Sequence, residues 1–362
     1  YYETEHIYIS SFKNQSFSEI TKEINSIINN KKIEIVFFDV DSIKLLNYFF
    51  IKKINNVKKV LMTLDDTTVH EMNAITANAC DIIVSHCPFL TLKYREKGYE
   101  AYNMFLENDG NIFKNYNLNK DIDVLFFGKL TSDRKKFIDF LTSKNISIKL
   151  VGQSNNFLPL DELVKIISRS KIVINFSKTT TKNVSNHESE SIYKYYYEFK
   201  GRVIMTALCG SYCVSEISPG QTMLFNDDEI SSFSNKEECL EKLNYMLSND
   251  NLLKSRTNKF HNKAMTLYEE KKNFEPIFKA LNKEKFSRVE LIKFPYWYIR
   301  ISAKQIIKRN IHLTTLLKSF FELTQVWKIL KNTKFYIKVL VILESVLNIV
   351  WYSFMSILKK NK

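Results

Sequence analysis

The 362-residue chain carries 53 Lys and Arg against 39 Asp and Glu, a formal net charge of +14, and 45% of its residues are hydrophobic. That length and apolar content allow two or three domains with real cores and exclude a peptide-sized scaffold. Five cysteines, an odd number with no CxxC and no nearby His pair, exclude a zinc ribbon and read as buried reduced thiols.

Taken in chain order, apolar runs alternate with amphipathic stretches. "HIYISSF" (6–12), "IEIVFFDV" (33–40), "KVLMTL" (59–64) and "DIIVS" (81–85) have the length and β-branched content of buried strands. Helical patterns lie between them, "SEITKEINSIINN" and "SIKLLNYFFIKKINN" among them. This alternation predicts a parallel α/β sheet. The Asn- and Gly-containing stretch "AYNMFLENDGNIFKNYNLNK" (101–120) then reads as a linker. A second alternation follows. "DIDVLFFG" is a strand ending in Gly128, "DRKKFIDFLTSKN" a helix, "ISIKLVG" a strand ending in Gly152, "LDELVKIISRS" a helix and "KIVINFS" a strand. After these come a helix opened by "KGR" (200–202), the strand "YCVSE" and the helix "NKEECLEKLNYMLSND". Two α/β units joined by a linker leave a cleft, with ligands expected at the carboxyl ends of the strands.

From about residue 291 the alternation stops. Residues 291–362 hold thirteen Lys and Arg but only two acids, Glu322 and Glu344, so eleven of the fourteen excess charges lie in the last fifth of the chain. Trp297, Trp327 and Trp351, all the tryptophans present, lie there too. No helix-turn-helix or RNA-binding pattern accompanies the basic residues, so no nucleic-acid partner is expected. The apolar run 339–358 approaches the length of a membrane span, but Glu344 and Asn348 interrupt it. A helix lying on an anionic membrane surface, or one packing on the body of the protein, is expected instead; the membrane reading has truncation near residue 290 leave a soluble fold.

The order "DIDVLFFGKLTSDRKKFIDFL", "ISIKLVG", "SKIVINFS", "YEFKGRVIMTALCGSYCVSEISPG" and "LFNDDEISSFSNKEECLEKLNYMLSND" resembles the C-terminal half of GT-B glycosyltransferases. It is closest to the CgeB-like branch, near the family 4-type enzymes (glycosyl transferases group 1), and the resemblance covers roughly residues 121–270. It implies an α/β protein with two Rossmann-like domains facing a cleft and a C-terminal helical extension. The acceptor-side domain would take residues 1–115, the nucleotide-sugar-binding domain 116–290 and the basic aromatic extension 291–362. It further implies a donor site of Gly128, Lys129, Arg134, Gly152, Glu198, Lys200, Arg202 and Glu216. The cations and helix N-termini would neutralise a diphosphate, and the glycines would admit it to the backbone. Family members usually carry a ribose-contacting Glu where Met205 stands here; Glu198 or Glu216 would replace it.

On the acceptor side, family 4-type relatives often carry His-Asp at a strand end where this chain has Asp65-Asp66, with His70 following. Asp65 and His70 are the catalytic candidates, a carboxylate there being able to act as a base toward an acceptor hydroxyl. Helix capping competes as the role of Asp66 and Thr67. The family implies no cofactor and no metal. The implied partners are a nucleotide sugar, a glycan or glycolipid acceptor and the inner face of the cell membrane, with the protein in the cytoplasm. A non-catalytic sugar-nucleotide-binding or scaffold protein is the alternative, argued by Met205. The pair Asp39 and Asp41 leaves two lesser ones, a metal-binding GT-A site and a phosphatase nucleophile, but Ile43 and the absence of a later Lys and Asp pair argue against the phosphatase.

Overall fold

A computed structural model describes residues 4–8, 12, 15–40, 47–63, 69–105, 110–152, 158–178, 197–268, 270–283, 294–308, 326–327, 330 and 334–360. Helix α1 (Phe17–Asn30) opens on a capping box: the Glu19 N–H donates to Ser16 Oγ at 3.2 Å and the Ser16 N–H to Glu19 Oε2 at 2.6 Å. Ile20, Ile24 and Ile28, one helical turn apart, bury its inner face. Strands β1 (Ile35–Val40), β2 (Lys58–Thr63), β3 (Ile82–Ser85) and β4 (Ala101–Asn103) form one parallel sheet in that order. Helices α2 (Tyr48–Ile51), α3 (His70–Ala77) and α4 (Pro88–Glu96) connect them.

Three local expectations change. Residues 6–8 form no strand, and 9–11 lie outside the described residues. The helix expected across 42–56 is one turn, α2, capped by Asn47, with 41–46 outside the described residues. The stretch read as linker begins with strand β4, because Ala101 to Asn103 pair with β3 before the Asn-rich text starts.

The second sheet is also all parallel. It contains β5 (Ile122–Phe127), β6 (Ile148–Val151), β7 (Ser170–Asn175), β8 (Tyr212–Glu216) and β9 (Ser231–Phe233), in the order β6-β5-β7-β8-β9. Helices α5 (Ser132–Ser143), α6 (Leu160–Ser168), α7 (Gly201–Leu208), α8 (Pro219–Thr222), α9 (Lys236–Leu247) and α10 (Asp250–Tyr268) surround it. Two apolar clusters lie on its faces, one around Leu125, Val173 and Cys213, the other around Val124, Ile172 and Val214. This is the near-continuous apolar strand pattern that a sheet covered on both faces requires. All five cysteines are buried and unbridged, and burial pushes the Cys87 and Cys209 thiols up to about 12.

The linker is anchored by Lys120. Its ammonium donates to Ser170 O (2.9 Å), Gly210 O (2.6 Å) and Ser211 Oγ (3.0 Å), beneath the amino ends of β7 and β8. Burial lowers its pKa from 10.5 to about 8. Between those values the unfolded chain binds more protons than the folded one, so this group adds stability as pH rises from about 8 toward 10.5. Thermal unfolding of the native chain beside Lys120→Met across that range is expected to show the rise only in the native chain. Parallel curves would remove the assignment.

Two helices return to the first sheet. In α11 (Glu270–Leu281), Ile277, Ala280 and Leu281 pack on Val60, Ile82 and Val84. This helix falls inside the range the sequence suggests for the second domain, yet its apolar face completes the first. In α12 (Tyr296–Lys308), Tyr298 is fully buried, accepts the Tyr48 N–H at 2.8 Å and shares a hydrogen bond with Thr76 Oγ1 at 2.9 Å. The extension therefore forms part of the first core at its start. It ends in α13 (Phe335–Lys360), held to α12 by an Arg300–Glu344 ion pair at 2.7 Å.

Candidate donor site

In the second sheet the chain order reverses direction between β5 and β7, so the connections leaving these strands diverge and open a crevice at their carboxyl ends. Gly128 follows β5 there with φ +115°, a conformation that side chains rarely adopt. A Cβ on Gly128 would lie 2.5 Å from Arg202 Nη2. Arg202, in the first turn of α7, thus lays its guanidinium directly on the glycine. Its Nη1 donates to Asn175 Oδ1, on the last residue of β7, at 2.9 Å, and its head lies 5.2–5.5 Å from the Phe126 and Phe127 ring centroids. Asn175 is itself fixed, its amide donating to Ser215 Oγ (2.9 Å) and Ser177 Oγ (3.2 Å). Gly152, after β6, has φ +83° and packs so closely that a Cβ would lie 3.1 Å from Gly128 N.

Lys129, Arg134 and Glu216 belong to the same end of the sheet. Arg134 donates from Nη1 to Lys129 O at 3.0 Å and from Nη2 to Lys178 O at 3.1 Å, bridging the loops after β5 and β7. Glu216 ends β8, and its Oε2 accepts the Lys178 N–H at 2.8 Å. Burial raises the Glu216 pKa above the usual carboxylate value, with the Lys178 N–H and nearby cations opposing the rise. The Lys129 side chain projects into solvent.

Glu198 and Lys200 stand apart, on the seam with the first sheet. Glu198 is fully buried, and its Oε2 meets Lys200 Nζ at 2.7 Å. A buried carboxylate already paired in the seam is poorly placed to replace a ribose-binding Glu, whereas Glu216 lies at the crevice. Met205, one turn beyond Arg202, is half-buried against the apolar cluster under α7.

On the first sheet, Asp65 lies outside the described residues. His70 is 2% exposed, its ring 4.3 Å from that of Tyr94, itself part of the first core. That packing gives it the surroundings of a core histidine. Asp39 is exposed at the end of β1, Asp41 is outside the described residues, and among the described residues no three of His, Cys, Asp and Glu come together.

Residues 134–271 match the family described as glycosyl transferase-like. The second unit is a glycosyl transferase-like domain, and the fold is GT-B. Anabaena HepE, solved in complex with UDP-glucose, is 11% identical and aligns over 74% of this chain and 85% of its own, with a TM-score of 0.54. TarM, solved from S. aureus, is 11% identical over 73% of this chain and 59% of its own, with a TM-score of 0.51. No curated protein matches this chain in sequence. Within the glycosyl transferase-like domain, sequence reasoning missed Asn175, Ser177 and Ser215. Asn175 ends a strand at the switch point, and that position was the available signal.

Proposed function

We propose that this protein is a glycosyltransferase that moves a sugar from a nucleoside-diphosphate donor to a hydroxyl of a cell-surface glycan or glycolipid. The contact between Arg202 and Gly128 at the switch point carries the reading. A departing nucleoside diphosphate gains negative charge, and a guanidinium already fixed by Asn175 meets that charge without reorganising. The missing Cβ at Gly128 leaves the room that Arg202 Nη2 takes at the strand end. HepE, of the same fold, is solved with UDP-glucose, which makes that donor the first probe. The acceptor would enter from the first sheet's side, and Asp65 remains the candidate base.

A panel of nucleotide sugars, UDP-glucose included, tests this by sugar release or transfer. Turnover is expected to survive EDTA, because Arg202 rather than a divalent ion meets the diphosphate. Loss with EDTA and recovery with manganese would overturn that part. Met205 favours a second reading, a domain that binds sugar nucleotides without turnover. Tight UDP binding with no release from any donor would select it.

The reading extends to a cytoplasmic protein docked on an anionic membrane by α13. Val341, Ser345 and Ile349 face the protein, while Tyr336, Leu340, Leu343, Leu347 and Val350 form the opposite, exposed stripe, from 49% exposed at Leu340 to 69% at Leu347. Phe335 and Trp327 are exposed nearby, and Lys338 Nζ lies 5.7 Å from the Trp327 ring centroid. Among the described residues no helix is long and apolar enough to cross a membrane. An apolar stripe on a segment with an excess of eleven positive charges suits the surface of an anionic bilayer.

A further inference from the structure

His86 follows β3 at the carboxyl end of the first sheet and is 4% exposed. Its Nε2 lies 2.8 Å from Phe199 O. A carbonyl oxygen only accepts, so Nε2 carries the hydrogen and donates it across the seam. The same nitrogen is 3.8 Å from Glu198 Oε1, and Glu198 holds Lys200 through its other oxygen. His86 thus touches two successive residues, 198 and 199, that lead into Lys200, the N-cap of α7. Two residues later comes Arg202.

The surroundings make this grip stiff. A Cβ on Gly220, in α8, would lie 2.9 Å from both Cys87 Sγ and Phe199 Cβ, so the segment beside His86 has no room to slide. Phe199 and Cys87 share one apolar cluster with Val203 and Ile204 of α7. Phe105, two residues past β4, lies in the same cluster and is held to α11 where Asn273 Oδ1 accepts its N–H at 3.1 Å.

We propose that His86 is a positioning residue of the donor site. Through Phe199 O and Glu198 it makes the placement of α7, and so of Arg202 on Gly128, depend on the first sheet's orientation. Nucleotide capture in the second unit is thereby coupled to the relative position of the unit that carries the acceptor. This rests on the nucleotide-sugar reading above for its functional consequence, but not for the mechanical coupling.

The full chain and two variants separate the possibilities. His86→Ala removes the donor; His86→Gln keeps an N–H that reaches the Phe199 carbonyl. Hydrogen exchange of the unliganded chain should show the amides of residues 200–204 roughly fivefold less protected in His86→Ala and near native in His86→Gln, since one hydrogen bond contributes about 1 kcal/mol. UDP affinity should fall by a similar factor in His86→Ala with the acceptor KM unchanged, and recover in His86→Gln. Native exchange and native UDP affinity in folded His86→Ala overturn the proposal, as do equal losses in both variants. If the native chain binds no UDP while His86→Ala still loosens α7, the coupling stands and the donor reading fails.

Discussion

Arg202→Ala should weaken UDP-glucose binding roughly ten- to 150-fold, the range for losing a hydrogen bond to a charged group, about 1.5–3 kcal/mol. The guanidinium is fixed before ligand arrives, by Asn175 Oδ1 at 2.9 Å and by the Phe126 and Phe127 rings beneath it. Little ordering therefore remains to be done on binding. Arg202→Lys keeps the charge but not the planar fork, and should recover only part of the affinity. Gly128→Ala gives an independent handle. The new Cβ would meet Arg202 Nη2 at 2.5 Å from a backbone at φ +115°. It should move the guanidinium and cost roughly 1–3 kcal/mol of stability through strain. Because both substitutions disturb one contact, the double variant should lose less affinity than the two single losses combined. Calorimetric titration measures all three. Native affinity in a folded Arg202→Ala chain, or strict additivity in the double variant, would place the diphosphate elsewhere.

Acidic residues placed on the apolar stripe of α13 should abolish binding to anionic vesicles. Leu340, Leu343 and Leu347 are exposed at successive turns, so replacing all three by Glu disturbs no buried contact. Each leucine contributes roughly 1.5–3 kcal/mol when fully buried, so the triple variant should lose about a thousandfold in partitioning or more. Each nearby Lys adds on the order of 1 kcal/mol at an anionic leaflet, and high salt should weaken the native chain's binding by screening that part. Exposed Phe335, Tyr336 and Trp327 suit the headgroup zone at one end of the helix. Truncation near residue 290, the test the sequence suggests, is unsuitable. It would remove Tyr298, Ile299 and Ala303, which belong to the first core. Vesicle sedimentation of the full chain decides the matter: equal binding to neutral and anionic vesicles, or none to either, defeats the membrane role. A native chain that self-associates through the stripe instead would show it as a dimer in solution.

The sequence by itself determined most elements of the second unit, but not strand β9 or helices α8 and α10. Its central strands β5 and β7 are short apolar runs buried on both faces, and α5 and α9 carry side-chain caps in Thr131 and Asn235, so local pattern and final environment agree there. Gly128, Gly152 and Arg202 were legible because each punctuates a strand end or a helix start. What only the tertiary structure decided depends on contacts between residues far apart in the chain. No local pattern sets Asn175 against Arg202, since the strand order that brings β5 beside β7 does so. None reveals that Glu198 pairs within a buried seam beside His86, 112 positions away in sequence. Nor does amphipathic text near residue 300 say which sheet it covers. Tyr298 settles that by burying its ring on the first unit, where its hydroxyl finds Tyr48 and Thr76. A helix's own residues specify that it has an apolar face; the free energy of covering that face depends on which partner surface remains open when the rest of the chain has folded.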